Sequence, residues 1–224
     1  MIIGIIPARF ASTRLLGKPL ATIGDKPMIQ HTYENASKSK LIEKLILAVD
    51  DAKVASVARG FGADVIETPK EIASGSDRIA YVAKIFKEAD IIANIQGDEP
   101  FIHGEMIDQA IEPLLFDKSI DVTTLIKHIQ TLKELRSPDV VKVVFDYNNY
   151  ALYFSRSPIP FTRSAISDSA ALEITNYYKH IGLYVFRRKA LLKFTSLKQT
   201  DLEKTEILEQ LRMLENGIKI KVVE

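Results

Sequence analysis

Three cations, two hydroxyls and a glycine crowd one short segment, Pro7-Ala8-Arg9-Phe10-Ala11-Ser12-Thr13-Arg14-Leu15-Leu16-Gly17-Lys18-Pro19. Arginine grips phosphate through paired hydrogen bonds, and lysine supplies a compact positive charge. Small residues in the same loop let backbone amides approach a ligand. The chemistry this set suits is polyphosphate binding, although a solvated basic loop would carry the same residues. The pattern is neither GxxxxGK[ST] nor GxGxxG, so ordinary kinase and dinucleotide dehydrogenase readings lose support.

A second segment, Gln96-Gly97-Asp98-Glu99-Pro100, follows the apolar run Ile91–Ile95. A carboxylate at a strand end near a phosphate loop is placed to hold Mg²⁺, which takes one or two protein carboxylates plus substrate phosphates and water. Asp98 is the candidate ligand, and Glu99 reads as structural. A plain strand-ending turn has the same composition. A third segment, Ser74-Gly75-Ser76-Asp77-Arg78, offers amides and hydroxyls at a helix start to a base or ribose. A cap with Asp77 in the first turn accounts for it equally. A fourth group is dispersed: Arg156, His180, Tyr184, Glu209 and Gln210 supply a cation for a carboxylate and mixed donors and acceptors for hydroxyls. Spacing does not show that they converge.

The elements that must position these groups alternate. Ile2–Ile6 is a continuous apolar run, read as a strand buried on both faces, so the loop after it lies at the carboxyl end of a sheet, where open α/β folds bind ligands. A helix is expected from Pro27, a strand over Leu45–Val49, a helix ending near Gly60, a short strand over Ala63–Ile66, and a helix capped by Ser76. This alternation predicts a mainly parallel sheet covered on both faces. The second half changes character. Val140–Phe145 and Tyr150–Ser155 flank Asp146-Tyr147-Asn148-Asn149 as a hairpin, His180–Phe186 reads as a strand, Glu206–Glu215 as one helix with Ile207, Leu208, Leu211 and Leu214 on a face, and Ile218–Val223 as a last strand. The expectation is a single α/β domain over residues 1–224 with an antiparallel insertion.

Composition narrows the function. The chain has 224 residues, 46% hydrophobic and 26% charged, which is ordinary for a globular protein. No apolar run approaches the ~20 residues of a membrane helix, and nothing resembles a signal peptide. Cysteine is absent, which excludes disulfides, thiol nucleophiles and cysteine-ligated zinc, and the cytoplasm is the expected compartment. A net charge of +1 argues against a general nucleic-acid binder. The charge is uneven: no acid precedes Asp25, residues 51–150 are net acidic and residues 151–224 net basic.

Together these motifs closely resemble the 3-deoxy-manno-octulosonate cytidylyltransferase family. The resemblance runs from the Pro-Ala-Arg-x-x-Ser-Thr-Arg-x-x-Gly-Lys-Pro loop, through Ser-Gly-Ser-Asp-Arg and Gln-Gly-Asp-Glu-Pro, to Tyr150-Ala-Leu-Tyr-Phe-Ser-Arg156 and Leu208-Glu-Gln-Leu-Arg212. It implies a Rossmann-like nucleotide-diphospho-sugar transferase fold and a homodimer without nucleic-acid or membrane partners. It also implies Mg²⁺-dependent coupling of CTP to 3-deoxy-D-manno-octulosonate (Kdo), giving CMP-Kdo and pyrophosphate for lipopolysaccharide assembly. By resemblance Arg9, Ser12 and Lys18 would hold the CTP phosphates, with Ala8, Ser74, Arg78 and Gln96 around the nucleoside. Arg9, Lys18 and Asp98 would serve catalysis, with Asp98 on the metal. Arg156, His180, Tyr184, Glu209 and Gln210 would line the sugar-acid pocket. The anomeric hydroxyl would attack the α-phosphorus in line, without a dedicated protein base. Rival readings are an 8-amino Kdo or sialic-type cytidylyltransferase, a non-catalytic CTP-binding or dimer-forming relative, and an oxidoreductase that lacks its glycine fingerprint. Two departures stand out. The family loop carries proline at Leu16, and family members continue past the last strand into an Asp-Thr-x-Glu-Asp-like segment whose first aspartate is a second metal ligand. The sequence ends at Glu224, so the expectation is either a fragment or an incomplete metal site.

Overall fold

The computed structural model describes residues 1–10, 17–165 and 167–224. The isoleucine-rich N-terminus forms β1 (Ile2–Ala8), and a two-strand ribbon, β2 (Thr22–Ile23) with β3 (Lys26–Pro27), leads into α1 (Met28–Ala36). Then follow β4 (Lys44–Val49), α2 (Ala52–Gly60), β5 (Asp64–Glu67), α3 (Gly75–Ile85), β6 (Ile91–Asn94) and α4 (Gly104–Phe116). The second half contains β7 (Val122–His128), α5 (Leu132–Arg136), β8 (Lys142–Phe145), β9 (Ala151–Ser155), α6 (Asp168–Ile174) and β10 (Tyr178–Arg187). It ends with α7 (Arg188–Ser196), α8 (Asp201–Glu206), α9 (Gln210–Glu215) and β11 (Lys221–Val223).

One sheet runs in the order β11-β7-β10-β6-β1-β4-β5, with the β8–β9 hairpin attached through β8 to β10. Neighbours are parallel from β6 through β1 and β4 to β5, and again between β11 and β7. β10 runs antiparallel to β6, β7 and β8. The mainly parallel sheet with an antiparallel insertion is therefore present. Both faces of the first strands are covered, which is why they read as unbroken apolar runs. Ile3, Ile5 and Ile46 pack with Ile79 and Val82 of α3, Phe194 of α7 and Leu211 of α9. Ile6, Leu47 and Val49 pack on the other side with Ile29 of α1, Val54 of α2 and Ile107 of α4. Each fully buried isoleucine contributes about 1.5–3 kcal/mol. No helix among the described residues is long and apolar enough to cross a membrane.

The structure corrects several boundaries. The hairpin turn forms as expected, with Asp146 Oδ1 accepting from the Asn148 and Tyr150 amides and Asn149 at φ 58°. Ser74 rather than Ser76 caps α3, its hydroxyl accepting from the Asp77 amide. The helix expected over Glu206–Glu215 begins only at Gln210, as α9; Glu206 is the last residue of the preceding α8. Ile207 between them takes the left-handed conformation at φ 54°, rare for a β-branched residue, and is exposed rather than on the buried face. The buried Glu203–Arg212 pair, with bonds of 2.8 and 2.5 Å, clamps the two pieces across this break. The last strand is shorter than expected and begins at Lys221.

Glycine is demanded by close approach at the turn after β6. A Cβ on Gly97 would stand 2.7 Å from the Pro7 carbonyl oxygen at the end of β1, whereas one on Gly60 would meet nothing within 4 Å. Gly97→Ala is expected to cost about 1–3 kcal/mol of unfolding free energy. Gly60→Ala, at the last turn of α2, is expected to be neutral or to gain up to about 1 kcal/mol. Denaturant midpoints of both variants check this, and equal effects would contradict the packing described.

Candidate active site

The carboxyl ends of β1, β4 and β6 converge, and a buried ion pair holds them. Asp50, just past β4, accepts from the Phe10 amide at 2.9 Å and from Arg78 Nη2 at 3.0 Å. The Arg78 guanidinium is fully buried, and it also bonds the Thr68 hydroxyl beyond β5. Burial pulls its pKa below the ordinary value while Asp50 opposes that pull. The family resemblance places Arg78 around a nucleoside, and the structure buries its side chain on Asp50, beside Phe10, where it anchors the strand ends. Ser74 is likewise engaged locally, donating to Asp77 Oδ2 at 2.8 Å as well as capping α3. Ala8 ends β1 in the core, and Arg9 reaches out to the Ala73 carbonyl at 2.6 Å. Gly17, at φ 71°, donates to the Phe10 carbonyl at 2.9 Å and so pins the base of the loop. Ser12, Arg14 and Leu16 lie outside the described residues.

Lys18 Nζ donates to Asp98 Oδ2 at 2.5 Å, with both side chains partly exposed. This joins the cation after β1 to the carboxylate after β6. Glu99 beside it is held above the ordinary carboxylate range, first by burial and then by the charge of Asp98. Among the described residues no three histidine, aspartate or glutamate side chains gather as a metal cage. One exposed carboxylate next to a phosphate-type lysine suits a different arrangement, a Mg²⁺ that arrives with a polyphosphate and takes its other ligands from phosphate and water.

Beside this point opens a cleft of about 200 Å³ lined by Ser76, Gln96, His180, Tyr184, Glu209 and Gln210 among others. Gln96 lies at the end of β6, His180 and Tyr184 on β10, and Glu209 and Gln210 just past the Ile207 break. The break turns the chain so that these two polar residues face the cleft instead of continuing the axis of α8. Ser76 donates to Glu209 Oε2 at 2.7 Å, and Gln96 Nε2 donates to Asn94 Oδ1 at 3.3 Å. Burial drives the pKa of His180 down to about 3, so its imidazole is neutral at ordinary pH. The Tyr184 hydroxyl is buried with no partner in good hydrogen-bond geometry; burial first and Glu209 second raise its pKa, and the nearby Thr124 hydroxyl opposes them. A larger cleft of about 440 Å³ lies at the opposite end of the sheet. Its lining includes Lys189, Lys193 and Lys219, all exposed, and Tyr150, but none of the candidate site residues.

Four of the five dispersed residues thus meet, while Arg156 is not among the lining residues; Gln96, expected around the nucleoside, lines the same cleft as His180 and Tyr184. Its Nε donates to the Glu206 carbonyl at 2.7 Å and its Nη1 to the Pro138 carbonyl at 2.8 Å, tying β9 to the end of α8. Sequence reading also missed the supports. Glu206 accepts from the Ser155 hydroxyl at 2.6 Å and the Arg156 amide at 2.9 Å. Lys142 is fully buried and donates to the carbonyls of Ser137, Val140 and Arg156. A lysine inside the apolar stretch Val140–Phe145 was the available signal.

The fold and this site define a nucleotide-binding α/β transferase, and a family model described as cytidylyltransferase matches residues 3–220. A 3-deoxy-manno-octulosonate cytidylyltransferase of Geobacter sulfurreducens is 50% identical over 227 aligned positions, covering 100% of this chain and 90% of the relative. One of Chloroherpeton thalassium is 49% identical, covering 98% of this chain and 87% of the relative. A solved structure of CMP:2-keto-3-deoxy-manno-octonic acid synthetase complexed with CTP superposes with a TM-score of 0.91 at 40% identity, covering 100% of this chain and 89% of that one. The chain belongs to the 3-deoxy-manno-octulosonate cytidylyltransferase family.

The anchor beneath the loop generates a prediction. Arg78→Met leaves Asp50 without its cation at a nearly buried position, and removing one partner of a buried pair costs about 3–5 kcal/mol. A fall of that size in unfolding free energy checks the assignment. A loss below about 1 kcal/mol, the range of surface pairs, would show that the pair does not anchor the strand ends.

Proposed function

We propose that the chain couples CTP to Kdo, forming CMP-Kdo and releasing pyrophosphate, as a step toward lipopolysaccharide. The observation that carries this reading is the full-length identity of about half to relatives named for that reaction. The CTP complex of the structural neighbour supports CTP as the nucleotide. The cleft beside Lys18 and Asp98 is lined by histidine, tyrosine, glutamate and glutamine, a donor and acceptor set suited to a polyhydroxylated acid.

In this reading Arg9 and Lys18 hold the triphosphate, and their charge offsets the negative charge that builds as the α-phosphorus is attacked. Gln96, His180, Tyr184, Glu209 and Gln210 orient the sugar acid so that its anomeric oxygen bonds the α-phosphorus. The bond from the α-phosphorus to the bridging oxygen breaks, pyrophosphate leaves, and the hydroxyl proton passes to solvent. Asp98 would hold Mg²⁺, which would supply charge neutralisation on the phosphates and Lewis-acid activation of the attacking hydroxyl. Holding the two substrates in register is the larger part of the work, since alignment alone is worth several kcal/mol. A homodimer and a cytoplasmic setting belong to the same reading.

Pyrophosphate release from CTP is expected to require both Kdo and Mg²⁺, and Asp98→Ala is expected to lower turnover by about 10²–10³-fold. Release with 8-amino Kdo or a sialic acid in preference to Kdo would reassign the acceptor. CTP binding without release would make the chain a non-catalytic relative, and near-normal turnover of Asp98→Ala would remove that residue from the metal.

A further inference from the structure

We infer that Thr124 fixes the tautomer of His180, so that the imidazole meets the sugar acid as a hydrogen-bond acceptor at Nδ1. The inference rests on the reading above for the identity of the ligand, but its geometry stands alone. Thr124 is fully buried on β7. Its Oγ1 lies 2.8 Å from the Leu183 carbonyl oxygen, 3.3 Å from the Ile181 carbonyl oxygen and 2.9 Å from His180 Nε2. These three groups reach one hydroxyl because β10 is bulged there. Ile181 pairs with Leu125 and Tyr184 with Thr124, so Gly182 and Leu183 have no partners on β7 and two carbonyls turn toward it.

A hydroxyl has one proton, and carbonyls only accept. The shortest contact assigns that proton to Leu183. Were it given to His180 instead, two oxygens 2.8 Å apart would face each other in the core with no proton between them. His180 Nε2 therefore donates into a lone pair of Oγ1. A neutral imidazole with its proton on Nε2 presents a bare lone pair at Nδ1. His180 lines the cleft, and Nδ1 has no hydrogen-bond partner among the described residues. The ring is held by Phe154 edge-on at 5.2 Å and by Tyr184 at 5.2 Å. Burial keeps the imidazole uncharged.

The consequence concerns specificity. A neutral acceptor selects an O–H or N–H donor and repels a carboxylate or an ether oxygen. His180 then reads a hydroxyl of the sugar acid, and the acid group must be met elsewhere. Thr124 is a positioning residue, because it acts only through the ring.

The chain labelled with ¹⁵N in its histidines tests this without any substrate, His180→Gln serving to assign the signal. The expected spectrum shows His180 as one neutral tautomer with its proton on Nε2, unchanged between about pH 8 and about pH 5.5, across which an ordinary histidine titrates. A proton on Nδ1, or titration in that range, overturns the inference. Thr124→Val, which keeps shape and removes the hydroxyl, is expected to mix the tautomers and raise the KM for Kdo about tenfold, the effect of one lost hydrogen bond, with the KM for CTP unchanged. Thr124→Ser is expected to restore both. A Thr124→Val chain with the proton still wholly on Nε2 and an unchanged KM for Kdo would overturn it. The expected tautomer in a chain that does not turn over Kdo would sink the choice of substrate while leaving the geometry standing.

Discussion

The Arg78–Asp50 pair is the constraint on which the active end of the sheet depends. It lies at the one place where the loop after β1, the end of β4, the segment after β5 and the first turns of α3 all meet. As a source of stability such a pair is poor, since desolvation offsets most of the attraction. Its value is positional. The Phe10 amide is fixed on the second oxygen of Asp50, and Lys18, the next motif cation among the described residues, reaches Asp98 past the end of β6. Chemistry that relies on alignment tolerates little movement at that point.

The cleft beside it is built from two departures from regular structure. The bulge in β10 sets His180 and Tyr184, four residues apart, opposite Ile126 and Thr124, so that their rings lie 5.2 Å apart with a threonine beside them. The left-handed Ile207 breaks a helix so that Glu209 and Gln210 face inward. A β-branched residue in that conformation stores strain of about 1–3 kcal/mol, and such a residue persists only when its surroundings over-determine it. Here the surroundings are explicit. Arg156 bonds the carbonyls on both sides of the break, and the Glu203–Arg212 pair spans it. The residues that fix the shape are mostly not the ones that line the cleft.

This division explains what was legible in the sequence. Strands buried on both faces are written in local composition, and β1, β4 and β6 appear directly as runs of isoleucine, leucine, valine and alanine. The motifs at their ends were equally visible, because ligand-facing loops concentrate polar and small residues. β7 was hidden, since Thr123 and Thr124 interrupt its apolar run, and both prove buried and hydrogen-bonded. Arg78 was placed near the nucleoside by the family resemblance alone, and its burial depends on an aspartate 28 residues earlier that local composition does not reveal. The helix break at Ile207 was invisible, since its apolar spacing continues smoothly through it. Arg156, expected in the sugar-acid pocket, bonds the Glu206 and Pro138 carbonyls, and its motif does not reveal that role.

What ties these elements together is the claim that the cleft of Gln96, His180, Tyr184, Glu209 and Gln210 receives the sugar acid while the Lys18–Asp98 corner receives the triphosphate. A crystal structure with Kdo and a non-hydrolysable CTP analogue addresses it directly. The account predicts the sugar in that cleft, a hydroxyl on His180 Nδ1, and the α-phosphorus facing the anomeric oxygen near Lys18. A sugar bound in the lysine-lined cleft at the other end of the sheet, or with its carboxylate on His180, would contradict it.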